Sequence, residues 1–466
     1  MTKRLIIGRQ REQNELMRLT NSGTSEFVAI YGRRRVGKTY LVKEFYGQQF
    51  TFYATGICRG DRASQLKCFH DALTEYGSGE MKSPKDWFEA FDRLKAVVSG
   101  SKKSRKVIFL DELPWMDTQK SNFTQALDLF WNKWCTSRTD IVLIVCGSAA
   151  SWMVKNLIRS RGGLHNRLTC KIHLQPFTLS ETNAFLLSKG IRWSKQAVAE
   201  CYMAMGGIPF YLQHIDKSMS LAQNIDRMFF NPSALLEDEF ANLYDSLFTH
   251  SEDYVKIVRA LNSRKKGMTR DDIVAATRIT NGGGLTRKLE ELEQCGFIRK
   301  YTSVGNAKFI YQLMDFYTLF YYHFIHGGKD YDEDTWMHLQ GQPRHAAWLG
   351  LSFERLCLAH AYEIKHALGI SGIGTKTYAL NTDGAQIDMI IERADNFVNL
   401  CEMKYGTSAY AITESEWNKI RQRMDAARDK FPRKSVLLTM ITSQGLKENE
   451  YSLNGIQKTL TIEDLF

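Results

Sequence analysis

Eight residues, Gly32-Arg33-Arg34-Arg35-Val36-Gly37-Lys38-Thr39, follow the spacing G-x-x-x-x-G-K-S/T. Glycines at these positions let backbone N–H groups close around phosphate oxygens with no Cβ in the way. Lys38 would neutralise the β- and γ-phosphates, and the Thr39 hydroxyl would ligate Mg²⁺. Further on, Val107-Ile108-Phe109-Leu110-Asp111-Glu112 delivers two carboxylates to the end of an apolar run. Asp111 would hold Mg²⁺, directly or through water, and Glu112 would polarise the attacking water. A third apolar run, Ile141–Cys146, leads into Gly147-Ser148, where Ser148 would sense the γ-phosphate. Arg167 would stabilise charge developing on the transferred phosphoryl group, in cis or from a neighbouring subunit of a homo-oligomer, or is an ordinary surface arginine. Arg33, Arg34 and Arg35 would touch phosphate or a partner, or form a solvated loop crest.

A second set of residues has different chemistry. Glu354 stands in a helical stretch, Asp388 in the strand-like run Gln386-Ile387-Asp388, and Glu402-Met403-Lys404 in the next. On a strand, residues two apart share a face, so Glu402 and Lys404 point the same way. Asp388 and Glu402 have the oxygen donors that a hard cation such as Mg²⁺ takes. Lys404 would orient or activate a metal-bound water for attack on a phosphodiester. Ile387, Met389, Leu400 and Met403 would pack into the core. His323 and His326 are spaced like metal ligands on a helix, but no third ligand accompanies them, which favours a packing face.

These residues need a scaffold. Apolar runs at Phe27–Tyr31, Val107–Leu110 and Ile141–Cys146, separated by helical stretches, predict a parallel α/β sheet with a helix from Thr39. Residues 178–230 read as helical, interrupted at Gly206-Gly207-Ile208-Pro209. Between 253 and 312, three helical patterns and a hairpin across Gly305-Asn306 make the pattern of a winged helix-turn-helix. There Thr286, Arg287 and Lys288 begin the recognition helix and would reach DNA, or the module serves protein packing. Residues 313–347 are aromatic-rich and helical. A new α/β pattern then runs through a helix at 349–368, strands near 374–379, 386–393 and 397–404, a helix at 414–430 and a strand at 435–441. The expected division is 1–175, a P-loop core; 176–245, a helical lid; 246–312, a winged helix; and 313–466, a helical linker with a nuclease-like domain.

Ile7-Gly8-Arg9-x-x-Glu12, the P-loop, Phe109-Leu110-Asp111-Glu112-Leu113-Pro114-Trp115-Met116, the Gly147–Met153 segment and Gly206-Gly207-Ile208-Pro209 together resemble the archaeal-type ATPase family, in the STAND branch of AAA-like P-loop ATPases. The resemblance covers about residues 1–245 and has five motifs in family order. It implies ATP as the nucleotide, Gly8 and Arg9 near the adenine, a helical lid and then a winged helix. Val36 and Tyr40 would complete the nucleotide contacts around the P-loop. About residues 345–442 resemble the PD-(D/E)XK nuclease fold and a C-terminal domain of unknown function often fused to this family. That implies catalytic roles for Glu354, Asp388, Glu402 and Lys404, although no proline precedes the acid at Asp388.

Composition narrows the partners. The net charge of +11 favours a polyanion, with nucleic acid the simplest, although a basic surface kept for solubility would give the same excess. Nine cysteines without a C-x-x-C pair fit reduced thiols in the cytoplasm rather than a disulfide framework. The first residues turn charged too soon for a signal peptide, and no apolar run is long enough to span a membrane. The competing expectations are an ATP-regulated DNA-processing nuclease and a STAND-type switch whose C-terminal domain only binds nucleic acid or a protein.

Overall fold

The computed structural model describes residues 6–79, 82–148, 150–158, 166–231, 234–236, 238–248, 250–303, 308–328, 334–381 and 386–466. The chain forms two compact units, Met1–Pro176 and Phe177–Phe466. No helix among the described residues is long and apolar enough to cross a membrane.

In the first unit, five strands form one parallel sheet: β1 (Glu26–Tyr31), β2 (Phe50–Thr55), β3 (Lys106–Asp111), β4 (Ile141–Gly147) and β5 (Cys170–His173), in the order β2-β3-β4-β1-β5. Every residue of β3 and β4 is buried, as continuous apolar runs covered on both faces must be. Phe27, Phe52, Trp87, Phe91, Phe123 and Phe130 fill the core on one side. Because all the strands run the same way, the loops after β1, β3 and β4 emerge at one edge, where open α/β sheets bind ligands.

The second unit begins with helices, among them Leu179–Ser188 and Lys195–Met205. The latter stops at Gly206, and Pro209 opens the next short helix. Gly207 is needed for a close approach: a Cβ there would lie 2.0 Å from the Phe177 carbonyl oxygen. Phe229, Phe230, Phe320, Phe324, Trp336 and Trp348 form an aromatic core.

Helices Ser251–Asn262, Arg270–Thr277 and Gly283–Gln294 accompany a small antiparallel sheet. It comprises β6 (Met268–Thr269), β7 (Ile298–Thr302) and β8 (Phe309–Leu313) in the order β6-β8-β7. The expected hairpin tip at Gly305-Asn306 lies outside the described residues. The third helix starts at Gly283, three residues before the expected Thr286.

The last module has β9 (Thr375–Asn381), β10 (Gln386–Arg393), β11 (Phe397–Lys404), β12 (Ser435–Thr442) and β13 (Lys458–Thr461), ordered β13-β12-β11-β10-β9. β9, β10 and β11 pair antiparallel; β11, β12 and β13 pair parallel. Helix Glu414–Lys430 lies on this sheet, burying Ile420, Met424 and Ala427. The expected helix 349–368 is two helices, Pro343–Ala359 and Ala361–Ala367, broken at His360. A single bridge, Ser303 to Ala379, joins the end of the small sheet to β9.

Candidate functional site

The P-loop leaves the buried β1 and turns through Gly32, whose φ is +141°. A Cβ on Gly32 would lie 2.4 Å from the Leu174 carbonyl oxygen, so only glycine fits. Gly37, with φ +91°, turns the chain into helix Lys38–Tyr46. That helix N-terminus therefore opens towards the loop, as an anion site requires.

Lys38 is buried, and its ammonium donates to the Gly32 and Arg33 carbonyls at 3.1 and 2.8 Å. Arg9 donates to the Val36 carbonyl at 3.2 Å, and the Gln13 amide donates to the Gly8 carbonyl at 2.7 Å. The Gly8–Arg9 turn, left-handed at both residues, thus rests against the P-loop. Arg33 is buried, Arg34 and Tyr40 are exposed, and Arg35 is half-buried with φ 72°.

Thr39 Oγ1 donates to Asp111, 2.9 Å from Oδ2 and 3.1 Å from Oδ1. A hydroxyl oxygen and a carboxylate in contact form the oxygen donor pair that Mg²⁺ takes, so these residues fit the ion. Burial pushes the Asp111 carboxyl above its ordinary value, and the neighbouring Glu112 charge adds to this; the Thr39 hydrogen bond opposes it. A cation there would relieve both effects.

Glu112 follows with left-handed backbone, φ 48°, a conformation that costs a non-glycine residue about 1–2 kcal/mol. Its carboxylate accepts from the Ser148 hydroxyl at 2.7 Å and the Ser148 N–H at 3.3 Å. Ser148 is therefore held by the acidic residue. Gly147, just before it, must be glycine because a Cβ would meet Pro114 at 2.6 Å.

Arg167 is exposed and precedes β5, whose neighbour Thr169 pairs with Phe27 at the start of β1. The P-loop leaves the other end of β1, beside Leu174. Five strand residues at roughly 3.3 Å each separate the two levels by about 17 Å. The expected role in cis is thereby corrected: Arg167 lies at the wrong end of the sheet for its own phosphate site.

The second constellation converges. Glu354, Asp388, Glu402 and Lys404 line one cavity of about 230 Å³, with Gln386, Arg423, Lys265 and Lys266. Asp388 lies in a register shift of the β9–β10 pairing between Ile387 and Ile390. Such a bulge lets both isoleucines reach one core while the acid between them is re-aimed. Gln386 donates to Asp388 at 3.0 Å. Glu402 is paired with Arg423 at 2.6 Å and Lys404 at 3.1 Å. Burial first, and the Asp388 charge second, push the Glu354 carboxyl up to about 7.

Among the described residues, no three His, Cys, Asp or Glu side chains are arranged to hold a metal. The donor chemistry of Asp388 and Glu402 still suits a hard cation, provided that the ion displaces the cations now paired with Glu402 and that water or backbone oxygen completes its shell.

Arg423, Gln386, Lys265 and Lys266 were not foreseen. Arg423 had a readable signal, since it shares the buried stripe of its helix with Ile420, Met424 and Ala427. In the helix–hairpin module, Thr286 accepts from Arg270 at 2.9 Å, and Lys288 turns to Asp253 at 3.4 Å. Arg287 is exposed and pairs with Glu291 at 3.8 Å. His323 contacts the Arg344 carbonyl at 3.2 Å, a packing role.

Residues 6–215 match a family described as an ATPase domain predominantly from Archaea. An uncharacterized protein of Methanocaldococcus jannaschii is 25% identical over 333 residues, covering 69% of each chain. The Walker-type ATPase of Pyrococcus abyssi is similar in structure at 18% identity and TM-score 0.48, over 67% of this chain and 95% of that one. The ORC2 protein of Aeropyrum pernix, solved in ADPNP–ADP complexes, gives 12% identity and TM-score 0.42 over 76% and 95%. The P-loop, Thr39, Asp111, Glu112 and Ser148 all fall inside the stretch that is similar to this family.

Proposed function

We propose that the protein binds and slowly hydrolyses Mg²⁺-ATP at the P-loop and acts on DNA through its C-terminal module, with nucleotide state regulating metal-dependent phosphodiester cleavage. Lys38 and the loop amides bind phosphate. Thr39 and Asp111 hold Mg²⁺, which neutralises phosphate charge when bound. Glu112 orients the attacking water, and Arg167 serves a neighbouring subunit's site. In this reading residues 246–312 are a winged helix, and the last module is a PD-(D/E)XK-type nuclease.

The observation that carries the reading is the convergence of Glu354, Asp388, Glu402 and Lys404 on one cavity, in a chain that also has the Thr39–Asp111 contact. Asp388 and Glu402 would hold the cation, and Lys404 would position the water that attacks phosphorus. The test is nicking of several DNA forms with Mg²⁺ or Mn²⁺, with and without ATP. Asp388→Ala abolishes nicking and leaves ATP turnover intact. No nicking of any form by the unaltered protein defeats the cleavage reading.

One observation favours a second reading. Glu402 is already neutralised by Arg423 and Lys404, as it would be in a domain that only binds. The protein is then a STAND-type switch whose oligomeric state follows the nucleotide. Light scattering that gives one mass with ADP, ATP and a non-hydrolysable analogue removes this alternative.

A further inference from the structure

We propose that Lys265 and Lys266, carried by the turn between helix Ser251–Asn262 and β6, form a phosphate-gripping wall of the carboxylate cavity and hold the phosphodiester backbone of nucleic acid there. The inference rests on the cleavage reading above and names the side chains that hold its substrate's phosphates.

Both lysines come from a different module than the acids, yet line the same cavity. Lys265 is near enough to Glu354 to favour its charged form. Their backbone is fixed at each residue. The Lys265 carbonyl accepts from Gln312 at 2.7 Å and from Arg355, and the Lys266 carbonyl accepts from the Tyr301 hydroxyl at 2.7 Å. Arg355 also donates to the Leu313 carbonyl at 3.2 Å, and it is the residue next to Glu354. One buried guanidinium thus ties the lysine turn to the helix that carries the acid. Gly267 closes the turn with φ +79°, and a Cβ there would lie 2.4 Å from the Tyr311 carbonyl oxygen. Surface lysines on a mobile loop have no such anchoring.

The charge count points to an anion. Lys265, Lys266, Lys404 and Arg423 line the cavity with Glu354, Asp388 and Glu402, and two of the four cations, Lys404 and Arg423, are paired with Glu402. A divalent cation would increase the positive excess, which a phosphodiester then balances. The volume, about 230 Å³, is below the roughly 300–1,000 Å³ of a typical small-molecule site. It has room for a phosphate and its adjoining sugar atoms, the part of a nucleic acid that lysines grip.

The experiment uses the full chain with Mn²⁺ or Mg²⁺ and end-labelled single-stranded, duplex and forked oligonucleotides. Cleavage and fluorescence anisotropy are both read for the unaltered protein, K265A/K266A and K265R/K266R. Expected is a KM for cleavage raised about tenfold or more in K265A/K266A and restored in the arginine variant. The salt slope of single-strand binding falls by about 1.4, at roughly 0.7 for each phosphate contact. An unchanged KM, or equal single-strand binding by K265A/K266A and the unaltered protein, overturns the inference. Should the unaltered protein cut nothing, the cleavage reading fails, and a loss of single-strand binding in K265A/K266A still supports the lysine wall.

Discussion

Ser148 grips Glu112 with two donors, its hydroxyl at 2.7 Å and its own N–H at 3.3 Å. Both carboxylate oxygens are therefore engaged by the residue that follows β4, while the backbone of Glu112 is left-handed. If Glu112 orients the attacking water, the serine sets where that carboxylate points. Ser148→Ala is expected to lower kcat for ATP about tenfold with KM within about twofold. Glu112→Gln is expected to cost about 10²-fold or more in kcat while ATP still binds. Phosphate release under saturating Mg²⁺-ATP measures both, and an unchanged kcat in the serine variant dissociates the pair.

Lys38 makes its hydrogen bonds to two carbonyls of its own loop, so removing its ammonium leaves no distant group without a partner. Lys38→Ala is expected to keep the fold and lose the heat of Mg²⁺-ATP binding in calorimetry. It also loses the nucleotide's rise in unfolding free energy, about 2.7 kcal/mol at a hundredfold excess over Kd. A variant that still shows that rise contradicts the phosphate role of Lys38.

Glu354 connects acidity to stability. Its folded pKa, about 7, lies above the ordinary 4.5, with burial the larger cause and Asp388 the next. Between these values the folded chain holds a proton that the unfolded chain has released. Stability therefore falls as pH rises from about 4.5 to 7 and levels off above. Glu354→Gln removes that slope, and at pH 8 in chelator it is expected to be more stable than the unaltered protein by about 2–3 kcal/mol. Thermal unfolding at pH 5 and pH 8 reads the difference, which should nearly vanish at the lower pH.

Gly207 donates no side chain to any site, yet its Cα lies against the Phe177 carbonyl, and Phe177 N–H donates to the Gly207 carbonyl at 2.6 Å. Tyr202 adds a hydrogen bond to the Phe177 carbonyl at 2.8 Å. Gly207→Ala must push these apart, and a loss of about 2–4 kcal/mol is expected in denaturant titration. Gly206→Ala meets more open space but keeps φ +67° and ψ 179°, a region nearly reserved for glycine, so about 1–3 kcal/mol is expected there.

The P-loop and its acidic strand were readable because their signals are local. A buried parallel strand is a continuous apolar run, and the loop needs glycine at fixed places. β5 and β13 were missed because four residues are too few to set a period apart from chance, although β5 alternates buried and exposed side chains, and β6 is only two residues long. β2 was missed although Phe50–Thr55 is rich in aromatics, because its polar residues break the run. Glu354, Asp388, Glu402 and Lys404 were found by type and order, but Lys265 and Lys266 meet them only through the fold. No spacing rule reports that a turn on one module faces a sheet on another. The in-cis alternative for Arg167 was open in the sequence for the same reason, since strand direction, not distance along the chain, decides which edge of the sheet a loop reaches.

The bridge from Ser303 to Ala379 lies on the outermost strand of the last sheet. A bare outer strand offers its unpaired amides and carbonyls to any other chain. Here the small sheet stands guard over part of that rim. Cutting the last module free of residues 251–313 would strip the guard, so the excised piece should clump where the longer polypeptide remains dispersed.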